Sequence, residues 1–213
     1  MSYLQTLYEN HHASRTRGGF SILEDERGTL FASWLGTGKT VLDIGCRDGT
    51  LTQHFAEGNT VVGADIDTVL LSRLPKGIQG VFMDVYGDWT EIKGMQFDAI
   101  VAGEILEHLY HPTRIVGKAA AHLAPGGIFI GSVPNAFSLK NRLRYLWGTK
   151  RGTPLADPTH INQLHIDDVR LMLAEHFADV QVGGLGRGGW LAKTFPGLFA
   201  FDLVFRASRP RSA

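Results

Sequence analysis

The chain has 213 residues, 44% of them hydrophobic, and its 21 basic residues balance 21 acidic ones. That apolar share suffices for one full core, while no run approaches the roughly 20 apolar residues that cross a bilayer. Neutral charge argues against holding nucleic acid by bulk attraction, and the single cysteine, Cys46, excludes an internal disulfide and fits a reducing, cytoplasmic compartment, with no signal peptide expected.

Residues 1–37 precede the sheet. Tyr3, Leu4, Leu7 and Tyr8 are spaced for a short helix and residues 22–34 for a second. Between them His11-His12-Ala-Ser-Arg15-Thr-Arg17-Gly-Gly19 is polar and ends in glycine, so it reads either as a mobile arm or as a lid that excludes water from a reaction. Thr40–Ile44 reads as a strand covered on both faces, after which Gly45 and Gly49 let the backbone turn sharply where a ligand comes close. The spacing is Asp43-x-Gly45-x-Arg47-x-Gly49, which lacks the third glycine and the free amides of a pyrophosphate loop. An acid ahead of the first glycine suits a ligand bearing an ammonium group and neutral ribose hydroxyls. Cys46, inside this turn, reads as a small packed residue, because no activating partner is adjacent. Residues 61–65 form the next strand, with Asp65 at its end to accept hydrogen bonds from two vicinal hydroxyls and Ile66 beside it. A third short strand, 80–83, ends at Asp84-Val85, where a carboxylate and a backbone amide can read an adenine edge.

Further strands at about 97–102 and 126–133 alternate with helical stretches, the pattern of a parallel sheet with helices on both faces. Asp67, Ser72, Arg73 and Lys76 read as solvated helix surface. Glu104-Ile-Leu-Glu-His108 is expected on a helix, where Glu104, Glu107 and His108 share a face as Ile105, Leu106 and Leu109 turn inward. His108 can then take a proton from an acceptor hydroxyl, or Glu104 simply favours the helix start while His108 makes a structural hydrogen bond. Residues 137–147 form a basic segment whose Leu139, Leu143 and Leu146 are expected to make core contacts, and a helix runs from His165 or Ile166 to Phe177. Residues 180–182 and 201–205 are the last strands, separated by a stretch, 183–189, too glycine-rich for regular structure. Lys140, Arg142, Arg144, Lys150 and Arg151 read either as a solvated face or as a preference for an acidic or phosphorylated acceptor, and Trp147, Trp190 and Phe195 read as packing.

The series Leu-Asp-Ile-Gly-Cys-x-Asp-Gly, Gly-Ala-Asp65, Asp84-Val, Phe97-Asp-Ala-Ile-Val, Glu104-Ile-Leu-Glu-His108, Leu123-Ala-Pro-Gly-Gly127 and Ser132-Val-Pro-Asn135 resembles the class I S-adenosylmethionine (SAM)-dependent methyltransferases, in the family's order, over residues 38–183. The resemblance implies an α/β, Rossmann-like, mostly parallel seven-stranded sheet with an antiparallel C-terminal strand pair. It also implies one domain over 1–213, with an N-terminal arm at 1–37, a SAM-binding core at 38–213 and an acceptor-side insertion at about 135–165. It places Asp43 and Gly45 at the methionine part of SAM, with Cys46 and Gly49 in the same turn. Asp65, followed by Ile66, meets the ribose, Asp84 and Val85 meet the adenine, and Gly103 lies beside the sulfonium. Arg47 stands where the family usually has glycine. The Glu-x-x-Glu-His pattern is similar to ubiquinone-pathway O-methyltransferases and to enzymes that 2′-O-methylate small-RNA ends, in which two glutamates and a histidine hold a divalent ion. The RNA enzymes add a distant histidine, and His160 occupies that place here. Glu104, Glu107, His108 and His160 are thus a candidate metal set, suited to Mn²⁺, Fe²⁺ or Zn²⁺; His108, Glu104 and His160 are equally a candidate acid–base set. Asn135-x-x-x-Leu-x-Asn-Arg-Leu-x-x-Leu146 with Asp157-x-Thr-His160 looks like a bacterial subgroup associated with glycan pathways. The expected activity is O-methylation of a small molecule or glycan by in-line transfer. The alternatives are a metal-dependent RNA-end 2′-O-methyltransferase, disfavoured by the neutral charge, and a SAM-binding partner protein without catalysis. A nicotinamide oxidoreductase lacks its glycine spacing.

Overall fold

A computed structural model of the protein describes residues 5, 6, 19, 21–186 and 188–211. Its strands are β1 (Thr40–Ile44), β2 (Thr60–Asp65), β3 (Ile78–Phe82), β4 (Phe97–Gly103), β5 (Leu123–Pro134), β6 (Phe177–Leu185) and β7 (Asp202–Pro210). They form one seven-stranded sheet in the order β3-β2-β1-β4-β5-β7-β6. β1 runs parallel to both β2 and β4, and β2 to β3, whereas β7 is antiparallel to both β5 and β6. This is the Rossmann-like sheet with an antiparallel end that the motif order implied. The chain gathers into two compact units, residues 1–101 and 102–213. Among the described residues no helix is long and apolar enough to cross a membrane.

In the first unit, Val41, Leu42 and Ile44 are fully buried, as are Val61, Val62 and Ala64 to within 1%. Strands covered on both faces read as unbroken apolar runs, which is why β1 and β2 were legible. The chain starts in the middle of the sheet, steps outward to β2 and β3, and then returns to the other side of β1. Ligands of open α/β sheets bind outside the carboxyl end of a strand at such a reversal, and Gly45–Gly49 follows β1 there. Helix α1 (Glu24–Leu35) carries Glu24, Asp25 and Glu26 in its first turn, where acids suit the positive end of the helix dipole, and Gly36 (φ 66°) ends it by donating its N–H to Ala32. It packs against α2 (Gln53–Ala56) at Gly28, where a Cβ would come within 2.3 Å of the His54 ring. Asp67 is not solvated surface: 2% exposed, it caps α3 (Thr68–Leu71) by accepting from the Val69 and Leu70 amides. β3 begins two residues before the expected position, so Asp84 lies beyond its end, in a turn where it accepts from the Tyr86 amide at 2.9 Å. The expected helix at 3–8 lies outside the described residues apart from Gln5 and Thr6, and so does most of the arm.

In the second unit, α4 (Pro112–His122) starts on a proline at a position whose N–H needs no partner and buries Ile115, Val116 and Ala119. Phe129 of β5 stacks on Phe177 (centroids 5.9 Å apart) and tilts against Phe205 (5.2 Å), joining β5, β6 and β7 through one fully buried cluster. Gly131 is required here, since a Cβ would sit 2.2 Å from the Ala102 carbonyl oxygen. Helices α5 (Leu139–Leu146), α6 (Ile166–Ala174), α7 (Gly189–Thr194) and α8 (Pro196–Phe199) complete the unit. The α6 helix ends three residues before the expected Phe177, which instead begins β6.

Three further expectations are corrected. Gly183 and Gly184 belong to β6; a side chain at Gly184 would meet the Ala200 Cβ at 2.4 Å and the Ala192 carbonyl at 2.7 Å, so glycine serves a close approach rather than a loop. Leu139, Leu143 and Leu146 are not core contacts but 42%, 50% and 79% exposed, because the buried face of α5 is the polar one, anchored by Asn141 donating to the Asn135 carbonyl at 2.9 Å. Trp147, Trp190 and Phe195 are likewise exposed rather than packed.

Candidate functional site

In the first unit the turn after β1 is built so that its amides are already used. Gly45 and Cys46 donate to the Ala64 carbonyl, Arg47 donates to Asp65 Oδ2 at 2.8 Å, and Gly49 donates to the Cys46 carbonyl. A pyrophosphate needs such amides free. Beside Arg47, the charged side chains of the turn are three acids: Asp43, 3% exposed, Asp65, 5% exposed, and Asp48. That donor set repels an anion and suits a cationic ligand, the charge character of a sulfonium with an α-ammonium group. Gly45 (φ 75°) and Gly49 (φ 76°) take the left-handed conformation the turn demands. Arg47 takes it too (φ 54°), which explains physically why a glycine is the usual occupant and why an arginine there is held under strain.

Burial pushes the Asp43 carboxyl up to about 7, although the Thr52 hydroxyl donates to its Oδ2 at 2.7 Å; repulsion from Asp65 adds to the rise and Arg27 opposes it. Asp43 is therefore a buried acid near its titration point at neutral pH, and a neighbouring cation would draw its proton off. Asp48 behaves in the opposite way. Against the effect of its burial, the Gly19 amide and the Thr50 hydroxyl hold its carboxyl below the usual range. Burial also drives the Cys46 thiol up, and its sulfur fills the space over Gly63, where a Cβ would come within 2.8 Å of it, so it packs rather than attacks. Asp65 accepts the Arg47 and Asp67 amides, one on each oxygen at 2.8 Å, which fixes its carboxylate at the end of β2. Ile66 follows it, half-buried. Asp84 and Val85 sit in the turn after β3, with the Trp89 indole donating to the Val85 carbonyl at 3.0 Å.

In the second unit, the pentad does not form the expected helix. β4 ends at Gly103, Glu104 turns into the left-handed region (φ 59°) with its N–H on the Ser132 carbonyl, and only Leu106–His108 makes a single 3-10 turn. The residues that turn inward are Leu106, Glu107 and Leu109, while Ile105 stays half-buried. Glu107, His108 and His160 bring one ligand atom each within 4.8 Å of one another, and Glu104 is not in that group. His108 Nε2 lies 3.8 Å from Glu107 Oε1, His160 Nε2 lies 4.0 Å from the same oxygen, and the two rings meet edge to face with centroids 4.7 Å apart. His108 Nδ1 faces the Thr159 carbonyl at 3.0 Å, and a carbonyl can only accept. In the neutral ring the proton is therefore on Nδ1, leaving the Nε2 lone pair directed at the cluster, which is the arrangement of a metal ligand or a general base. Asp157 accepts from the Thr159 amide and hydroxyl, and Asn162 donates its N–H to the Glu107 carbonyl, so the loop carrying His160 is tied to the turn carrying Glu107.

Thr52 and Arg27 escaped the sequence reading as partners of Asp43, and Asp157 and Thr159 entered it only within the Asp157-x-Thr-His160 motif, without these hydrogen bonds. Thr52 opens the helical turn after the glycines, and a hydroxyl three residues beyond Gly49 was a usable signal for a partner of Asp43. Arg27, 2% exposed in α1, gave none, because nothing local distinguishes it from a surface arginine.

The methyltransferase-domain family matches residues 17–179 of this chain. The ubiquinone biosynthesis O-methyltransferase of Salmonella enteritidis is 32% identical over 124 residues, 55% of this chain and 48% of that protein. Its Pseudomonas putida namesake is 31% identical over 126 residues, 54% and 52% of the two chains. The chain thus spans about half the length of the curated relatives it matches. Among solved structures, a SAM-dependent methyltransferase from Thermotoga maritima superposes with a TM-score of 0.70 at 12% identity, covering 97% and 99% of the two chains. One from Archaeoglobus fulgidus gives 0.67 at 17% identity, covering 88% and 93%. At such identities the likeness is one of fold.

Proposed function

The chain belongs to the class I SAM-dependent methyltransferases, and from that premise we propose that it transfers the SAM methyl group to an oxygen of a small-molecule or glycan acceptor in the cytoplasm, with a divalent metal ion held by Glu107, His108 and His160. The observation that carries the metal reading is the group of one buried carboxylate, Glu107, and two half-buried imidazoles, with the His108 tautomer fixed by the Thr159 carbonyl. SAM supplies an activated methyl on a sulfonium leaving group, and the metal ion would supply a positive charge that acidifies an acceptor hydroxyl.

The chain's own residues do the rest. Asp65 receives the ribose hydroxyls, Asp84 and Val85 the adenine, and Asp43 with Gly45, Cys46 and Gly49 encloses the methionine end, where Asp43 gives up its proton to meet the ammonium group. Gly103 leaves room for the backbone to approach the sulfonium. Glu104, strained at the end of β4, orients the acceptor. His108 Nε2 takes the acceptor proton if no metal ion is bound, which is the second reading, and the same hydrogen bond to Thr159 favours it. The Gly19 amide donates to Asp48 in the turn after β1, and the lid expected of residues 1–19 lies outside the described residues apart from Gln5, Thr6 and Gly19.

Turnover against a panel of hydroxylated acceptors, before and after exhaustive chelation, separates these readings. The metal reading expects activity to fall at least about tenfold on chelation and to return with Mn²⁺, Fe²⁺ or Zn²⁺. Activity that survives chelation in protein free of bound metal assigns the proton to His108 alone.

A further inference from the structure

Helix α5 is amphipathic with its faces reversed. Leu139, Leu143 and Leu146 recur at the i, i+4, i+7 spacing that makes one stripe, Trp147 extends that stripe past the helix end, and all four point outward at 42% to 82% exposure. The opposite face is polar and fixed: Asn141, 8% exposed, is bound to the Asn135 carbonyl, and Asn135 in turn donates to the Pro196, Gly197 and Ala200 carbonyls that shape α8. The leucines are therefore held outward and cannot rotate into the core without breaking this network. The charge around them is one-sided. Lys140, Arg142, Arg144, Lys150 and Arg151 lie between residues 135 and 156 and no acid does, in a chain whose total charge is zero.

We propose that this helix is an interfacial foot that seats the protein on an anionic lipid bilayer, with Leu139, Leu143, Leu146 and Trp147 dipping into the headgroup boundary and the flanking cations on the lipid phosphates. A stripe of leucines ending in a tryptophan, flanked by lysine and arginine, is the composition of a helix that lies in the plane of a membrane. Its basic rim selects anionic headgroups. Nucleic acid would use the cations but leave the leucines in water, and an apolar protein groove would leave the positive charge of this segment uncompensated, since Arg142 and Arg144 donate to the Phe137 and Gly152 carbonyls, which carry no charge. Neither the identity of the acceptor nor the metal ion bears on this seating.

The test is co-sedimentation of the full chain with vesicles of phosphatidylcholine alone or with about one-third phosphatidylglycerol. The protein is expected to pellet with the mixed vesicles at low salt, and at least about tenfold less with phosphatidylcholine alone or at high salt. Replacing Leu143→Glu and Leu146→Glu together should lower partitioning at least about tenfold, as should Lys150→Glu with Arg151→Glu. All four sites are exposed, so SAM affinity and the melting temperature should stay at their wild-type values, which shows that the variants are folded. Absence of pelleting with mixed vesicles, equal pelleting with neutral ones, or an unaffected leucine double variant overturns the proposal. A dimer that the leucine variant dissolves, without vesicle binding, assigns the face to a second copy of the chain and overturns it too.

Discussion

Replacing Asp43 by asparagine should change the pH dependence of stability rather than simply lower stability. Burial raises the folded carboxyl from 3.8 to about 7. A raised folded value means the native chain holds this proton more tightly than the unfolded chain does, so stability falls as pH rises between those two values and is flat above the upper one. At about 1.36 kcal/mol per pH unit, the rise from 3.8 to about 7 costs ~4 kcal/mol at pH 8, of which less than half is already lost at pH 5. Asparagine carries no proton to lose, and its amide oxygen can still accept the Thr52 hydroxyl. The attraction to Arg27 acts only on the ionised carboxylate and is already contained in the value of about 7, so it is not counted again. Urea unfolding at pH 5, 6, 7 and 8 should therefore show the variant gaining on the wild type by ~2–3 kcal/mol across the series. Parallel curves would refute the assignment of a buried, protonatable acid under the cofactor turn. The same linkage predicts that SAM affinity in the wild type rises with pH up to about neutrality and is flat in the variant.

Asn135→Ala should destabilise the second unit by ~3 kcal/mol, read by thermal or urea unfolding, because its fully buried amide serves three carbonyls and its Oδ1 accepts the Phe137 amide. Substituting His165 tests a cap: its ring accepts from the Asp167 amide while Asp168 accepts from the His165 amide, so Ala should cost ~1 kcal/mol and Ser should restore most of it. Gly131→Ala should cost more than ~3 kcal/mol or abolish folding, since the added methyl meets the Ala102 backbone rather than a side chain that could move.

What the sequence disclosed follows from what burial does to it. β1, β2 and β4 are covered on both faces, so their apolar runs are continuous and their boundaries were readable to within about two residues. Asp43, the fourth residue of β1, and Asp65, the last of β2, stood out as acids inside those apolar runs. The Glu104–His108 pentad was misread because a single left-handed residue cancels the 3.6-residue period, and nothing in the composition of Glu104 announces a positive φ. The consequence is chemical: of the two glutamates expected beside the histidines, Glu107 groups with them and Glu104 does not. In α5 the period was right and its direction wrong. Hydrophobic spacing tells which residues share a face, but which face is inside depends on partners such as Asn135, six residues before Asn141. The His160 pairing with Glu107 spans 53 positions, and only the resemblance to enzymes with a distant histidine suggested it.

Most depends on Asp65 as the acid that receives the ribose. Isothermal titration of SAM into the wild type, Asp65→Asn and Asp65→Ala measures this directly. Saturable one-site binding is predicted for the wild type and a loss of ~100-fold in affinity for the alanine variant, as expected for removing two charge-assisted hydrogen bonds. Asparagine, which keeps one acceptor oxygen, should fall between them. Absence of heat with the wild type, or an alanine variant that binds as tightly, would contradict the placement of SAM over this turn.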